Sequence, residues 1–142
     1  MNEEYVTNSF EETQKLGEEF AQKLVLGDFV AFYGNLGSGK TTFIQGLARG
    51  LGVKRRIISP TFIIVRHYKI ENGSFYHIDL YRTENKNDLL GLGLDEIIED
   101  KNNIIALEWA EKMGEMLPQK RIDVHCEYLE NDKRRIAVRK YE

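Results

Sequence analysis

The chain has 142 residues, of which 42% are hydrophobic and 30% charged, and its formal net charge is −3. That length predicts one domain with a real core, and the negative balance argues against a chain that grips nucleic acid unaided, because phosphate binding needs a positive surface. No charged-then-apolar leader and no apolar run near eighteen residues occurs, so neither export nor a membrane span is expected.

Glu4-Tyr5-Val6-Thr7 reads as a short edge strand. Ser9 then caps a helix, and Glu12, three residues on, completes a capping box. Phe10, Leu16, Phe20 and Leu24 mark the buried face of that helix, and Gly27 fits its C-terminal stop. Next comes the apolar run Phe29-Val30-Ala31-Phe32-Tyr33, a buried-type strand, which leads directly into Gly34-Asn35-Leu36-Gly37-Ser38-Gly39-Lys40-Thr41. The second stretch matches the phosphate-binding pattern of Gly, four residues, Gly-Lys-Ser/Thr. From Thr42 the chain continues as a helix, with Phe43, Leu47 and Leu51 at helical spacing.

Strand, glycine loop and helix are the context this motif requires. Glycines at 34, 37 and 39 let the backbone take positive φ and turn N–H groups inward without Cβ obstruction. The helix N-terminus adds unpaired N–H groups and the positive end of a dipole, both favourable to phosphate. Lys40 is expected to reach the β- and γ-phosphates, and the Thr41 hydroxyl to ligate Mg²⁺. The competing reading is a plain glycine turn before a helix; the flanking strand and amphipathic helix weigh against it.

Lys54-Arg55-Arg56 is a short basic cluster read as solvated surface. Ser59-Pro60 breaks the chain, and Thr61 to Ile70 runs extended. Asn72-Gly73 signals a hairpin, with Phe75 to Ile78 returning antiparallel. Asp88 is expected to cap a short helix through Leu89 and Leu90, interrupted by Gly91 and Gly93, and Leu94 to Ile98 forms another turn or two. Ile104-Ile105-Ala106-Leu107 has the continuous apolar character of a central parallel strand. A helical piece covers Ala110 to Leu117 and stops at Pro118. Ile122, Val124, Cys126 and Tyr128 alternate with polar residues, Glu130 to Lys133 turns, and Ile136 and Val138 alternate again as a half-exposed terminal hairpin. Cys126 is the single cysteine; it allows no internal disulfide, suits a reducing cytoplasm, and reads as a strand residue, with a reactive thiol the minority alternative. With no repeat or linker, residues 1–142 form one domain. The fold class is α/β: a P-loop NTPase fold whose mixed sheet has a parallel core and antiparallel hairpins, with helices on both faces.

A phosphate loop alone binds nucleotide; hydrolysis also needs acids to hold Mg²⁺ and orient water. Asp79 closes Phe75-Tyr76-His77-Ile78, and Glu108 closes Ile104-Ile105-Ala106-Leu107. In open α/β sheets ligands bind beyond the carboxyl ends of the parallel strands, so both acids suit the site. Glu108 follows the more apolar strand and is the better metal candidate; the alternative is a surface carboxylate beginning the next helix. Asp79 is equally placed to cap the following turn. Thr61 is positioned like a switch-loop hydroxyl for Mg²⁺ or γ-phosphate, or is simply the start of a strand. Trp109, the only tryptophan, packs in the core or stands beside the nucleotide. The histidines at 67, 77 and 125 lack metal-ligand spacing and read as ordinary strand residues. Asn85-Lys86-Asn87-Asp88 spells a guanine-reading pattern but follows no buried strand, so adenine is the expected base.

Four stretches together carry a resemblance: Gly34 to Thr41, Ser59-Pro60-Thr61-Phe62, His77-Ile78-Asp79-Leu80-Tyr81-Arg82, and Leu107-Glu108-Trp109-Ala110-Glu111. In order and spacing the chain resembles the TsaE family, small bacterial P-loop ATPases of tRNA threonylcarbamoyladenosine biosynthesis. Asn35 stands where that family often has Asp, and Ser38 where it often has Ala. The resemblance implies a cytoplasmic protein that acts with TsaB and TsaD, the latter transferring threonylcarbamoyl to adenosine 37 of tRNAs reading codons that begin with A. ATP hydrolysis would reset the assembly, and tRNA would be met only through the partners. It further implies Mg²⁺ held by Thr41 and Glu108 with Asp79 supporting, Thr61 in a switch segment, and adenine bordered by the N-terminal strand and a C-terminal arginine. Thr7 and Arg134 are the nearest matches, with Arg135 the alternative to Arg134. Turnover by the isolated chain is expected to be slow, since no arginine finger is evident apart from Arg82. Two other functions compete: a nucleotide-dependent small-molecule kinase, disfavoured by the terminal β-hairpin where an arginine-rich lid would be wanted, and a nucleotide-gated binding module with negligible turnover.

Overall fold

A computed structural model of the chain describes residues 2–54 and 64–142. Seven strands form one sheet: β1 (Asn2–Thr7), β2 (Phe29–Tyr33), β3 (Val65–Ile70), β4 (Gly73–Asp79), β5 (Asn103–Glu108), β6 (Arg121–Tyr128) and β7 (Arg134–Tyr141). Their order across the sheet is β1-β7-β6-β2-β5-β4-β3. β2 runs parallel to β5 and to β6, and β5 parallel to β4. β3, β7 and β1 add to this core antiparallel. The mixed sheet with a parallel centre is therefore as the sequence predicts.

One feature of the sheet was not anticipated. β6 and β7 form the expected hairpin, but β6 also pairs with β2, so half of that hairpin lies inside the sheet. The alternating pattern of β6 arises because one of its faces is only partly covered: Ile122, Val124 and Cys126 are buried on one side, whereas on the other His125 and Glu127 are exposed and Asp123 is buried. β2 is covered on both faces, which is why its sequence is apolar throughout. Val30 and Phe32 join one core with Phe43, Ile44, Leu47 and Ile136. Phe29 and Ala31 join a second core with Ile78, Leu107, Leu94 and Met113.

The first core is roofed by α1 (Phe10–Ala21) and α2 (Lys40–Gly50). Ser9 Oγ accepts from the Glu12 N–H as expected, but the Glu12 carboxylate reaches back to the N–H of Asn8 instead of closing the box on Ser9. The buried stripe of α1 also differs from the expected one. Thr13, Gly17 and Ala21 are its buried residues, Leu16 and Phe20 pack partly against the core, and Phe10 is 49% exposed. Small residues win the stripe because α1 and α2 meet backbone to backbone. A Cβ on Gly46 would stand 1.8 Å from the Gln14 carbonyl oxygen, and one on Gly17 would stand 2.1 Å from that of Phe43. Gly27 is not the helix stop: α1 ends at Ala21, and Gly27 (φ 99°) lies in the following loop, donating to the Asn103 carbonyl.

The second face carries α3 (Lys86–Leu90), α4 (Leu94–Glu99) and a 3-10 helix (Ala110–Met116). Asn85, not Asp88, caps α3; Asp88 is the reciprocal member of the capping box, its N–H donating to Asn85 Oδ1. The guanine-like tetrapeptide is thus a helix cap. No helix of the described residues is long and apolar enough to cross a membrane.

The glycine contact between the roofing helices yields a stability prediction. Gly46→Ala should improve helix propensity yet lower stability by about 2–3 kcal/mol, because the methyl must push two backbones apart. Chemical denaturation checks this, and a midpoint at or above wild type would refute the close approach.

Candidate functional site

The site is assembled at the carboxyl ends of β2, β4 and β5. Asp79 stands opposite Glu108 in the parallel β4–β5 register, and His77 lies two residues earlier on the same face as Asp79. That is the face roofed by α2, whose first turn brings Lys40 and Thr41 above the strand ends. Thr41 Oγ1 donates to Glu108 Oε1 at 3.4 Å. The other carboxylate oxygen, Oε2, is 2.6 Å from His77 Nε2. Glu108 is buried, which rules out the reading of it as a surface carboxylate.

Asp79 caps a turn and also stands next to Glu108. Its Oδ1 accepts the Tyr81 N–H and caps the turn after β4. It also lies beside Glu108, and its pKa is raised, first by burial and then by the Glu108 charge, against the lowering effect of the Tyr81 N–H. Two buried neighbouring carboxylates and a hydroxyl are a donor set suited to a hard divalent cation, which would relieve the repulsion. Among the described residues, no group of three or more His, Cys, Asp or Glu side chains is placed to hold a metal by itself. Mg²⁺ fits such an incomplete shell, because it keeps waters and takes phosphate oxygens as ligands.

Lys40 is buried, and its ammonium donates to the Gly34 carbonyl and sits 3.7 Å from the centre of the Trp109 ring. Burial lowers its pKa, while the carboxylates of Glu108, Glu111 and Asp79 raise it again. Trp109 reaches this position through a left-handed backbone (φ 61°, ψ 44°) between β5 and the 3-10 helix, and its ring meets Tyr81 edge-on at 5.3 Å. A non-glycine residue held there costs about 1–3 kcal/mol, and such strain clusters at functional sites.

The loop wraps as its glycines require. Gly34 is at φ 144°, where a Cβ would stand 2.4 Å from the Cys126 carbonyl oxygen. Gly37 and Gly39 are at φ 77° and 107°. Asn35 accepts the Ser38 N–H through its carbonyl, Leu36 at the tip is 68% exposed, and Thr42 is half-buried in the first turn of α2. The Ser38 hydroxyl is buried without a partner among the described residues.

Of the two candidate arginines, Arg134 approaches Gly39 of the loop, while Arg135 lines the cleft beside it. The Arg134 Nε lies 3.2 Å from the Cβ position of Gly39, and its guanidinium stacks 4.4 Å over Tyr128. Arg135 points to the other face and pairs with Glu4 and Glu127. Thr7 pairs with Arg134 across β1–β7, its buried hydroxyl sharing a 2.6 Å hydrogen bond with Thr13. A cleft of about 620 Å³ opens beside the loop, lined by Asn35, Leu36, Ser38, Tyr128 and, of the two arginines, Arg135. Thr61 and the rest of Ser59 to Phe62 lie outside the described residues. Cys126 is buried, with its thiol pushed up to about 12, which disposes of a reactive thiol.

His77 is the residue that sequence reasoning passed over. Screening the histidines for metal-ligand spacing asks the wrong question of a hydrogen-bonding partner. The usable signal was the period of two that puts His77 and Asp79 on one face.

Comparison with known proteins agrees with this architecture. The family model for "Threonylcarbamoyl adenosine biosynthesis protein TsaE" matches residues 7–136. The TsaE protein of Rickettsia conorii is 38% identical over 94% of this chain and 76% of its own length. That of Bacillus subtilis is 38% identical over 89% of this chain and 78% of its own. The crystal structure of Bacillus subtilis YdiB superposes with a TM-score of 0.84 at 31% identity, covering 100% of this chain and 87% of that one. The chain belongs to the TsaE family, whose members take part in tRNA threonylcarbamoyladenosine biosynthesis.

The geometry leads to two expectations. Adding ATP should draw Lys40 off the indole and change Trp109 fluorescence; a flat titration alongside binding detected by calorimetry would refute the contact. Asp79→Asn should raise the melting temperature in Mg²⁺-free buffer at neutral pH. The raised folded-state pKa of Asp79 means that its stabilising contribution is complete below the ordinary carboxylate pKa and is lost as pH rises through the folded value. The amide oxygen can still accept the Tyr81 N–H, so only the unfavourable charge is removed. A lower melting temperature would show that the Asp79 charge is stabilising.

Proposed function

We propose that this TsaE-family chain is a Mg²⁺-dependent ATPase, slow alone, whose turnover supports TsaB and TsaD in forming N6-threonylcarbamoyladenosine at position 37 of tRNAs reading codons that begin with A. The observation that carries the reading is the convergence of residues 67 positions apart in the chain: the Thr41 hydroxyl, in the first turn after the loop, meets the buried carboxylate of Glu108 at 3.4 Å.

The chain's own groups divide the work. Backbone N–H groups of the loop and of the first turn of α2 cradle the phosphates. The Lys40 ammonium exchanges the Gly34 carbonyl and the indole face for the β- and γ-phosphate oxygens, recovering in full the charge partner that its burial demands. Thr41 and Glu108 would hold Mg²⁺ with Asp79 alongside, and the ion would neutralise charge on the phosphates. Glu108 and Asp79 are also the acids available to orient the attacking water. Arg134, beside Gly39, and Thr7, its partner across β1–β7, are the residues at which adenine is expected. A chain with net charge −3 is suited to meeting tRNA through partners, not directly.

The deciding experiment is co-purification with TsaB and TsaD in the presence and absence of ATP, with ATP hydrolysis measured in the same samples. Assembly should require ATP or a non-hydrolysable analogue. Lys40→Ala should abolish nucleotide binding, and Glu108→Ala should spare binding but cut hydrolysis by about 100-fold or more. Unchanged hydrolysis in Glu108→Ala would leave a nucleotide-gated binding module, and a phosphorylated small molecule among the products would point to a kinase.

A further inference from the structure

We infer that His77 is a positioning residue for Glu108: its imidazole holds one carboxylate oxygen so that the other faces Thr41 and the phosphate loop. The inference rests on the ATPase reading of the site and adds a residue to it.

The geometry divides the two oxygens of Glu108 between different partners. Oε2 is held by His77 Nε2 at 2.6 Å, while Oε1 lies 3.4 Å from the Thr41 hydroxyl. A carboxylate side chain at a strand end has rotatable bonds on either side of its Cγ, and a contact as long as 3.4 Å does not fix them. The short bond to the imidazole does. It is also shielded from competition by water, because the His77 side chain is fully buried and that of Glu108 is 3% exposed.

The backbone makes the histidine hard to explain as packing. His77 sits in the middle of β4, opposite Ala106 of the central strand, on a face where Phe75, Ile104 and Phe32 form an apolar core. Nδ1 of the ring is buried without a partner among the described residues. An apolar side chain would fill the space without that cost, whereas the histidine also leaves a polar atom desolvated. What it gains, among the described residues, is the hydrogen bond to Glu108. Carboxylates that serve metals are commonly oriented this way by a further hydrogen-bonding shell, and losing such a partner lowers affinity or activity about 10–100-fold.

Both variants are tested as the full chain. His77→Leu removes the donor at similar volume. His77→Gln keeps an N–H at similar reach, since the glutamine amide nitrogen extends about as far from the backbone as imidazole Nε2. Two readouts are taken: steady-state ATP hydrolysis, and the Mg²⁺ concentration at half-maximal change in Trp109 fluorescence with a saturating non-hydrolysable ATP analogue. His77→Leu should lower kcat about 10–100-fold with KM for ATP within about 3-fold, and raise the Mg²⁺ midpoint about 10-fold or more. His77→Gln should recover most of both losses. In a cycle with Glu108→Ala, the double variant His77→Leu/Glu108→Ala should be no worse than Glu108→Ala alone, because the histidine acts only through the carboxylate.

Circular dichroism melts establish that each variant is folded. A folded His77→Leu with wild-type kcat and Mg²⁺ midpoint would overturn the positioning role while leaving the ATPase reading intact. Multiplicative losses in the cycle would overturn it too, by showing that His77 acts independently of Glu108. A wild-type chain that bound no ATP and hydrolysed none would overturn the ATPase reading itself, and the inference with it.

Discussion

The site depends on how a lysine ammonium is kept out of water. Lys40 must lie under the phosphate loop to be useful, and there it loses hydration, as its lowered pKa reflects. A buried charge is tolerated only when it is paired. Around Lys40 the pairing is partial and made of replaceable parts: a backbone carbonyl, an aromatic face, and carboxylates acting from a distance. None is a direct ion pair. On the proposed ATPase reading, these contacts would be exchanged for polyphosphate oxygens, which offer stronger, charge-assisted hydrogen bonds.

The parallel core supplies the rest of the geometry. β2 ends in the loop, while β4 and β5 end in Asp79 and Glu108, and because all three run the same way their ends share one edge. Register then matters at the level of single residues. Asp79 stands opposite Glu108, so two carboxylates project beneath the first turn of α2. A slip by one residue would send each of them into the second core, among Ile78 and Leu107. The tight α1–α2 contact belongs to the same argument, because it holds α2, and with it Thr41, at a fixed height over the sheet.

Much of this was legible in the sequence, for identifiable reasons. The loop announces itself because its conformation admits only glycine at several positions. β2 and β5 announce themselves because burial on both faces leaves a continuous apolar run. What was not legible arises where one signal stands for two environments. β6 alternates like an exposed hairpin strand, yet it lies inside the sheet with one face only partly covered. The large apolar residues of α1 suggested its buried stripe, but helices in backbone contact bury their smallest residues, so Gly17 and Ala21 took the place that Phe10 was expected to share. His77 shares the period-two face of Asp79, but its hydrogen bond to a residue on the neighbouring strand imposes no periodicity of its own, so its partner was not legible.

The site's unfavourable features lie close together. Trp109 holds a left-handed backbone, Asp79 and Glu108 place like charges side by side, the Ser38 hydroxyl and His77 Nδ1 are buried unpartnered, and Lys40 is desolvated. In the same core Phe32, Phe43, Leu47 and Ile136 are packed without these costs, although among the described residues the Tyr68 hydroxyl and Arg66 Nε on β3 are also buried without partners, and Asn72, Asn131 and Asp132 take positive φ in turns. Several of the unfavourable features nonetheless meet at one edge of the sheet, around Lys40, Asp79 and Glu108. Several share one remedy: a ligand carrying phosphate oxygens for the loop and lysine, accompanied by a divalent cation for the acids. On the proposed ATPase reading, a ligand of that composition would offset the desolvation of Lys40 and the repulsion between Asp79 and Glu108, two costs that folding alone leaves in place.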